Sequence, residues 1–299
     1  MEENKKTDFT DWNWDLLIKD RNEMWARMWE EFKADGLEPV NLWPEGAPNY
    51  RLAYGQEQPR LLILPAHKDK PRGILIVCAG GAFKFKSPNE AKPVAEFFHA
   101  AGLNAAVLDY RVEPYGQLDA CEDAKRAIRY LRYKAEELGI LADKIAIGGF
   151  SAGGMLTGMA ATRFDYGIPE SEDPIERVSS RPDAAIVCYG AFSPASSVGS
   201  GLGYDIKKQN EIARMDNSKN LRYDSPPFFL FQTHQDDPRS VLIMGKELAD
   251  RGIPFEIHTF QNGPHGGGLY DGKSEDSPYF PHTAKWAHLA VEWLEELGF

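Results

Sequence analysis

The side chains best placed to do chemistry in this chain are a serine set among glycines, a histidine in a glycine-rich loop, and two adjacent aspartates between them in sequence. The segment Lys144-Ile145-Ala146-Ile147-Gly148-Gly149-Phe150-Ser151-Ala152-Gly153 passes from an apolar strand pattern through a tight turn into a helix-like run. Glycines two residues before and two after Ser151 leave room for a sharp strand-to-helix bend that pushes the hydroxyl outward. The helix N-terminus beyond the bend favours negative charge developing beside it. Such a hydroxyl suits attack on an acyl carbon. It stays a weak nucleophile until a base takes its proton, so an acid and then a histidine are expected further along the chain.

Of the seven histidines, His265 has the right setting, in Asn262-Gly263-Pro264-His265-Gly266-Gly267-Gly268 just past the last strand pattern. Flexible flanks there would let the imidazole come within about 2.6–3.2 Å of the serine. His258 falls inside that strand and His288 on the final helix, while His67, His99, His234 and His282 lack any comparable setting; these six read as surface or structural histidines. The acid is expected in Thr233-His234-Gln235-Asp236-Asp237-Pro238-Arg239. Asp237 directly precedes Pro238 and an apolar helical run, which suits a helix N-cap. Asp236 is then left to face the imidazole and is favoured, with Asp237 as the alternative. The oxyanion formed on attack needs N–H donors, and Cys78-Ala79-Gly80-Gly81-Ala82-Phe83 follows an early strand at the place where such a loop belongs. Gly81, Ala82 and Ala152 are the expected donors.

These residues need a scaffold that brings them together. From residue 61 onward, short apolar runs alternate with amphipathic stretches, which argues for a mostly parallel sheet with helices on both faces. Strands are expected over 61–64, 74–78, 104–108, 144–148, 184–189, 227–232 and 255–260. Ser87-Pro88-Asn89-Glu90 reads as a capping box opening the helix after the second strand. A helix from about 119 to 138 carries Ala120, Ala124, Ala127, Ile128, Leu131, Ala135 and Leu138 on one stripe, with Gly139 as its C-cap. The last helix repeats that spacing with Trp286, Leu289, Ala290, Trp293, Leu294 and Leu297, whose tryptophans read as core. Two regions break the alternation. Residues 1–50 are polar but hold Trp12, Trp14, Trp25, Trp29 and Trp43, and are expected to form a helical extension packing these aromatics on a body spanning 51–299, with cover over the mouth of the site as the alternative. Residues 193–225 form a long, lid-like insertion.

Composition narrows the field further. A chain of 299 residues with 42% hydrophobic and 26% charged residues is an ordinary globular protein, read as one large domain. Its net charge of −11 opposes nucleic-acid and anionic-membrane partners and favours a neutral small-molecule substrate. The start, MEENKKTDF, lacks the apolar core of a secretory signal, and no apolar run reaches membrane-spanning length, so a cytoplasmic protein is expected. Cys78, Cys121 and Cys188 are odd in number and widely spaced, and read as buried reduced thiols with no disulfide framework or zinc site. No metal or organic cofactor is expected, and oligomeric state is not legible.

Several segments together resemble the carbohydrate acetyl esterases of the α/β-hydrolase superfamily, the acetylxylan or feruloyl esterase-like group, with hormone-sensitive-lipase-type esterases as more distant relatives. They are Leu42-Trp43-Pro44-Glu45-Gly46-Ala47-Pro48, Cys78 to Phe83, Leu108-Asp109-Tyr110-Arg111-Val112 with Pro114-Tyr115, Gly149 to Gly154, and Gly263-Pro264-His265-Gly266. Ala79, Ala82 and Phe83 stand where the family loop has Pro, a third Gly and Tyr, so a narrower or drier acyl pocket is expected. The acid loop lacks the family's Val-Pro after the aspartate. Asp109 and Arg111 are expected to form a structural ion pair. The resemblance implies an α/β-hydrolase fold and a serine esterase that removes acetyl or other short acyl groups from small esters, with acetylated oligosaccharides as the expected substrates. Ser151, His265 and Asp236 would carry the reaction. An amide or formamide hydrolase or a peptidase of the same fold is the alternative enzyme, and a catalytically dead binding module is the alternative outside enzymes.

Overall fold

The computed structural model describes residues 13–190 and 216–299. Trp12 and residues 193–215 of the expected insertion lie outside them. Among the described residues the strands are β1 Val40–Asn41, β2 Arg60–Ile63, β3 Arg72–Cys78, β4 Asn104–Asp109, β5 Ile140–Phe150, β6 Ala184–Cys188, β7 Phe228–Thr233 and β8 Phe255–Phe260. The helices are α1 Trp14–Ala34, α2 Lys92–Ala100, α3 Gln117–Tyr133, α4 Ala135–Leu138, α5 Ala152–Thr162, α6 Arg239–Asp250 and α7 Lys285–Glu296.

The strands form one sheet in the order β1-β2-β4-β3-β5-β6-β7-β8. From β4 to β8 every pairing is parallel, while β1 and β2 are antiparallel at the edge. Side chains on a strand alternate between faces, and β3 displays this clearly. Leu75 and Val77 join a core with Trp25 and Trp29 of α1, Phe98 of α2, and Trp286 and Leu294 of α7. Ile74, Ile76 and Cys78 join the opposite core with Ala124 and Ile128 of α3 and Leu156 of α5. Both faces are covered, so β3 is apolar almost throughout instead of alternating with polar residues.

Most expected strands appear within a few residues of their positions, because burial on both faces marks them strongly in sequence. β5 starts earlier, at Ile140, and β1 is too short to carry a pattern. The expected 119–138 helix is broken after Tyr133, and Gly139 ends α4 at φ +68° as the left-handed cap. All three cysteines are buried and free. No helix among the described residues is long and apolar enough to cross a membrane.

Two expectations need correction. The Ser87 side chain makes no capping bond, and Pro88–Glu90 is a short 3-10 turn in which Glu90 points inward. Asp109 and Arg111 do not pair. Asp109 meets Arg60 at 2.9 Å and Lys86 at 2.6 Å, and accepts the indole N–H of Trp25 at 3.1 Å. Arg111 instead reaches Asp123 of α3 at 2.6 Å. β4 ends at Asp109, so the chain leaves the extended geometry that would set the two side chains on one side.

α1 carries Trp25, Met28, Trp29 and Phe32 on its buried stripe, at the spacing of one helical face. Asn13 Oδ1 accepts the Leu16 N–H at 3.2 Å and caps its start.

Candidate active site

Parallel strands send their carboxyl ends to one edge of a sheet, so loops that are far apart in sequence gather there. The chain runs from β3 outward to β4 and then crosses to β5 on the other side of β3, which makes the β3–β5 pair the point where strand order reverses. Cys78 and Gly149 are register partners at this point, as are Phe150 and Cys188 one strand further on. The loop after Cys78, the bend at Ser151 and Tyr189 therefore meet.

Ser151 sits between β5 and α5 at φ +51° and ψ −118°, a strained conformation for a residue with a side chain. The bend is this tight because its flanks are glycines. A Cβ on Gly149 would lie 2.2 Å from Gly153 O, and one on Gly153 would lie 2.0 Å from Cys78 O. The Ser151 N–H donates to Cys188 O at 3.0 Å, which holds the bend against β6.

His265 brings its Nε2 to 2.7 Å from Ser151 Oγ and its Nδ1 to 2.6 Å from Asp236 Oδ2. A carboxylate can only accept, so the ring proton belongs on Nδ1 and the Nε2 lone pair faces the hydroxyl. Burial alone would lower the imidazole pKa, but Asp236, by charge and hydrogen bond, and Glu90 by charge leave it above the ordinary value. The side chain of His265 remains 26% exposed, open to an incoming substrate.

The histidine loop is pinned, contrary to the slack its glycines suggest. Thr233 Oγ1 donates to Gly263 O at 2.6 Å, Tyr270 Oη to Pro264 O at 2.6 Å, Asn89 Nδ2 to Gly266 O at 2.9 Å and Trp286 Nε1 to Gly268 O at 3.1 Å. On the acid loop, Asp236 closes a 3-10 turn, and Gln232 Nε2 donates to its carbonyl at 2.8 Å. Asp237 turns away at φ +54° and accepts the Arg239 N–H at 3.1 Å at the start of α6.

The loop after β3 runs against the bend, since a Cβ on Gly80 would come within 2.8 Å of Ser151 Cβ. Gly81 has φ +133°, and Ala82 and Phe83 follow at +53° and +57°, so this turn stores strain beside the serine. The N–H groups of Gly81, Ala82 and Ala152 have no acceptor among the described residues, which leaves them available to an oxyanion. Phe83 turns into the core against Tyr110, so its exchange for Tyr acts on packing beneath the loop. Beside His265 a hollow of about 330 Å³ opens to solvent, lined by Pro264, His265, Asp276, Ser277 and Pro278. Arg21 of α1 pairs with Asp276 on its rim.

Two residues of this neighbourhood escaped sequence reading. Tyr189 lies just past β6 at φ +36°, with its ring edge-on to His265 at 5.1 Å. Glu90 is 2% exposed, with carboxylate oxygens on the Gly80 N–H at 2.7 Å and the Tyr189 hydroxyl at 2.8 Å. The sequence around Glu90 reads equally well as a capping motif, Ser87 to Glu90, and carries no mark of a partner at position 189.

Residues 62–241 match the BD-FAE family model. The chain is 30% identical over 256 residues to endo-1,4-beta-xylanase B of Butyrivibrio fibrisolvens, covering 79% of this chain and 40% of that protein. It is 30% identical over 187 residues to the esterase LipI of Mycobacterium tuberculosis, covering 56% of this chain and 57% of LipI. It thus spans about half or less of the length of these curated relatives. Among solved structures it resembles the acetyl ester-xyloside bifunctional hydrolase of Caldicellulosiruptor lactoaceticus, with a TM-score of 0.78 and 31% identity over 88% of this chain and 97% of that one.

Proposed function

The chain belongs to the BD-FAE family and has the α/β-hydrolase fold, and we propose that it is an esterase that cleaves its substrate through a covalent acyl-enzyme on Ser151. The observation that carries this reading is the hydrogen-bond chain from Asp236 through His265 to Ser151, at 2.6 and 2.7 Å.

In this mechanism Ser151 Oγ attacks the ester carbonyl carbon as its proton passes to His265 Nε2. Asp236 stabilises the imidazolium so formed and keeps the ring oriented. The N–H groups of Gly81, Ala82 and Ala152 receive the oxyanion. Collapse of the tetrahedral intermediate breaks the bond to the leaving alcohol, which takes the proton from His265. A water molecule then attacks the acyl carbon with the same imidazole as base, releasing the acid and regenerating Ser151.

The substrate class we propose is an acetyl or other short acyl ester of an oligosaccharide. The names of the xylanase and acetyl ester-xyloside hydrolase relatives support it. The hollow beside His265, open to solvent, leaves room for the alcohol part of such an ester. We also take residues 1–50 as an extension on a catalytic body of 51–299.

Turnover of acetylated xylo-oligosaccharides, aryl acetates and aminoacyl amides by the wild type and Ser151→Ala tests the reading. Ester hydrolysis should fall at least about 100-fold in the variant, and the wild type should prefer the esters. Near-wild-type hydrolysis by Ser151→Ala would refute the nucleophile assignment, and a preference for amides would refute the substrate class.

A further inference from the structure

Glu90 is a second buried carboxylate at the site, and the reaction as written gives it no role. Its oxygens serve separate loops. Oε2 accepts the N–H of Gly80, the residue before the first expected oxyanion donor, at 2.7 Å. Oε1 accepts the hydroxyl of Tyr189 at 2.8 Å, and the Tyr189 oxygen in turn accepts the Gly268 N–H at 2.9 Å in the histidine loop. Both Glu90 oxygens act as acceptors, the arrangement of an ionised carboxylate. Asn89 adds a parallel tie from the same turn to Gly266 O at 2.9 Å.

A buried ionised carboxylate is costly unless its hydrogen bonds offset the burial, and here both of its oxygens are engaged. Neither oxygen caps the turn that carries it, since the partners are Gly80 and Tyr189. Its hydrogen bonds all lead to the loops around Ser151.

We propose that Glu90 is a positioning residue for acyl transfer: it ties the oxyanion loop to the histidine loop through Tyr189 and sets a negative charge near the imidazole of His265. This rests on the serine reading above. Two loops held by one carboxylate keep the Gly81 and Ala82 amides in a fixed relation to the base. Preorganised donors of this kind stabilise the transition state without reorganising during the reaction.

The charged and titratable groups facing Glu90 are Arg21 of α1, Tyr110 past β4, Cys188 and Tyr189 at the end of β6, and His265 and Tyr270 in the final loop. Burial raises the Glu90 carboxyl pKa, opposed by the Tyr189 hydroxyl, His265, the Gly80 N–H and Arg21. Glu90 in return raises the His265 pKa. Removing its charge should lower the imidazole pKa and move the acid limb of kcat/KM to lower pH.

The test compares wild type, Glu90→Gln, Tyr189→Phe and Ser151→Ala with an aryl acetate from about pH 5 to about pH 9, with thermal melts to check folding. Glu90→Gln should lower kcat about 10- to 100-fold, less than loss of an oxyanion donor itself, with KM within about two-fold and the acid limb shifted down. Tyr189→Phe, which keeps the charge, should lower kcat about 10-fold and leave the acid limb in place. Wild-type kcat and pH profile in Glu90→Gln would overturn the proposal, as would a kcat loss without the limb shift, the mark of a purely structural role. Should Glu90→Gln fail to fold, Tyr189→Phe decides, and wild-type kcat there overturns the tie. Ser151→Ala separates the two levels. An inactive Ser151→Ala beside an unaffected Glu90→Gln sinks only the Glu90 role, whereas an active one sinks the serine reading and this proposal with it.

Discussion

Two adjacent aspartates end up with different partners, and their difference is local backbone chemistry. Asp237 accepts the N–H of Arg239 at 3.1 Å, while the carboxylate of Asp236 lies 2.6 Å from the imidazole. Asp236→Asn should therefore lower kcat about 10⁴-fold by releasing the imidazole into the wrong tautomer. Asp237→Asn should leave kcat within a few-fold and cost about 1 kcal/mol of stability at most; steady-state kinetics and melts of both variants check this. The same carboxylate fixes the pH response. A base works only when neutral, and Asp236 with Glu90 holds His265 above its ordinary value despite burial. The acid limb of kcat/KM should accordingly lie above about 6.5, with activity lost as pH falls through it. Ser151 and His265 were legible because each is marked by its own neighbours, glycines that permit a bend or a loop. Glu90 and Tyr189 were not, since they are 99 positions apart and nothing near either one announces the hydrogen bond between them.

The elements that were read well are those buried on both faces. β3, β4 and β7 carry runs whose composition leaves few alternatives, whereas β1 has only Val40 and Asn41 and takes its place from pairing with Leu61 and Arg60. The ion pair expected between Asp109 and Arg111 failed for a related reason. Strand alternation holds only while the strand lasts, and the partners came from β2, α3 and the loop before α2. α1 was expected from its tryptophans, but its contacts could not be read from spacing. Trp25 and Trp29 pack edge to face at 6.1 Å, and Arg60 stacks 4.2 Å over the Trp29 ring. Its buried stripe of Trp25, Met28, Trp29 and Phe32 stabilises the fold by about 6–12 kcal/mol on area grounds, comparable to the whole stability of a typical protein. A chain starting at residue 37 should thus aggregate or melt near room temperature. Trp29→Ala alone should cost about 3–5 kcal/mol, read by thermal or denaturant unfolding. A truncated chain as stable as the full one would show that α1 is an ornament on an independent body.

For the molecule as a whole, charge and shape point the same way. A net charge of −11 and an open hollow beside His265 fit the neutral ester proposed above. Charge also sets the acid limit of the fold. Burial would raise the Asp165 carboxyl pKa, yet Arg129, the Gly167 N–H and Lys125 bring it down to about 2. A carboxyl depressed in the folded state stabilises it fully above the unfolded value of about 3.9, and that stability is lost as pH falls toward 2. Asp165→Asn should weaken the protein at neutral pH and flatten the fall in stability between about pH 4 and about pH 2, as denaturant melts across that range would report. Substrate identity was the least legible property, because the hollow is walled by Pro264, Asp276 and Pro278, loop residues whose positions no local pattern encodes. The central claim is chemical, that a covalent acyl-enzyme forms at one oxygen, and peptide mass spectrometry after reaction with a fluorophosphonate tests it most directly. One adduct per chain on the peptide holding Ser151, absent from Ser151→Ala and strongly slowed in His265→Ala, is the expected result. An unlabelled Ser151 in protein that still hydrolyses esters, or an adduct on another residue, would contradict it.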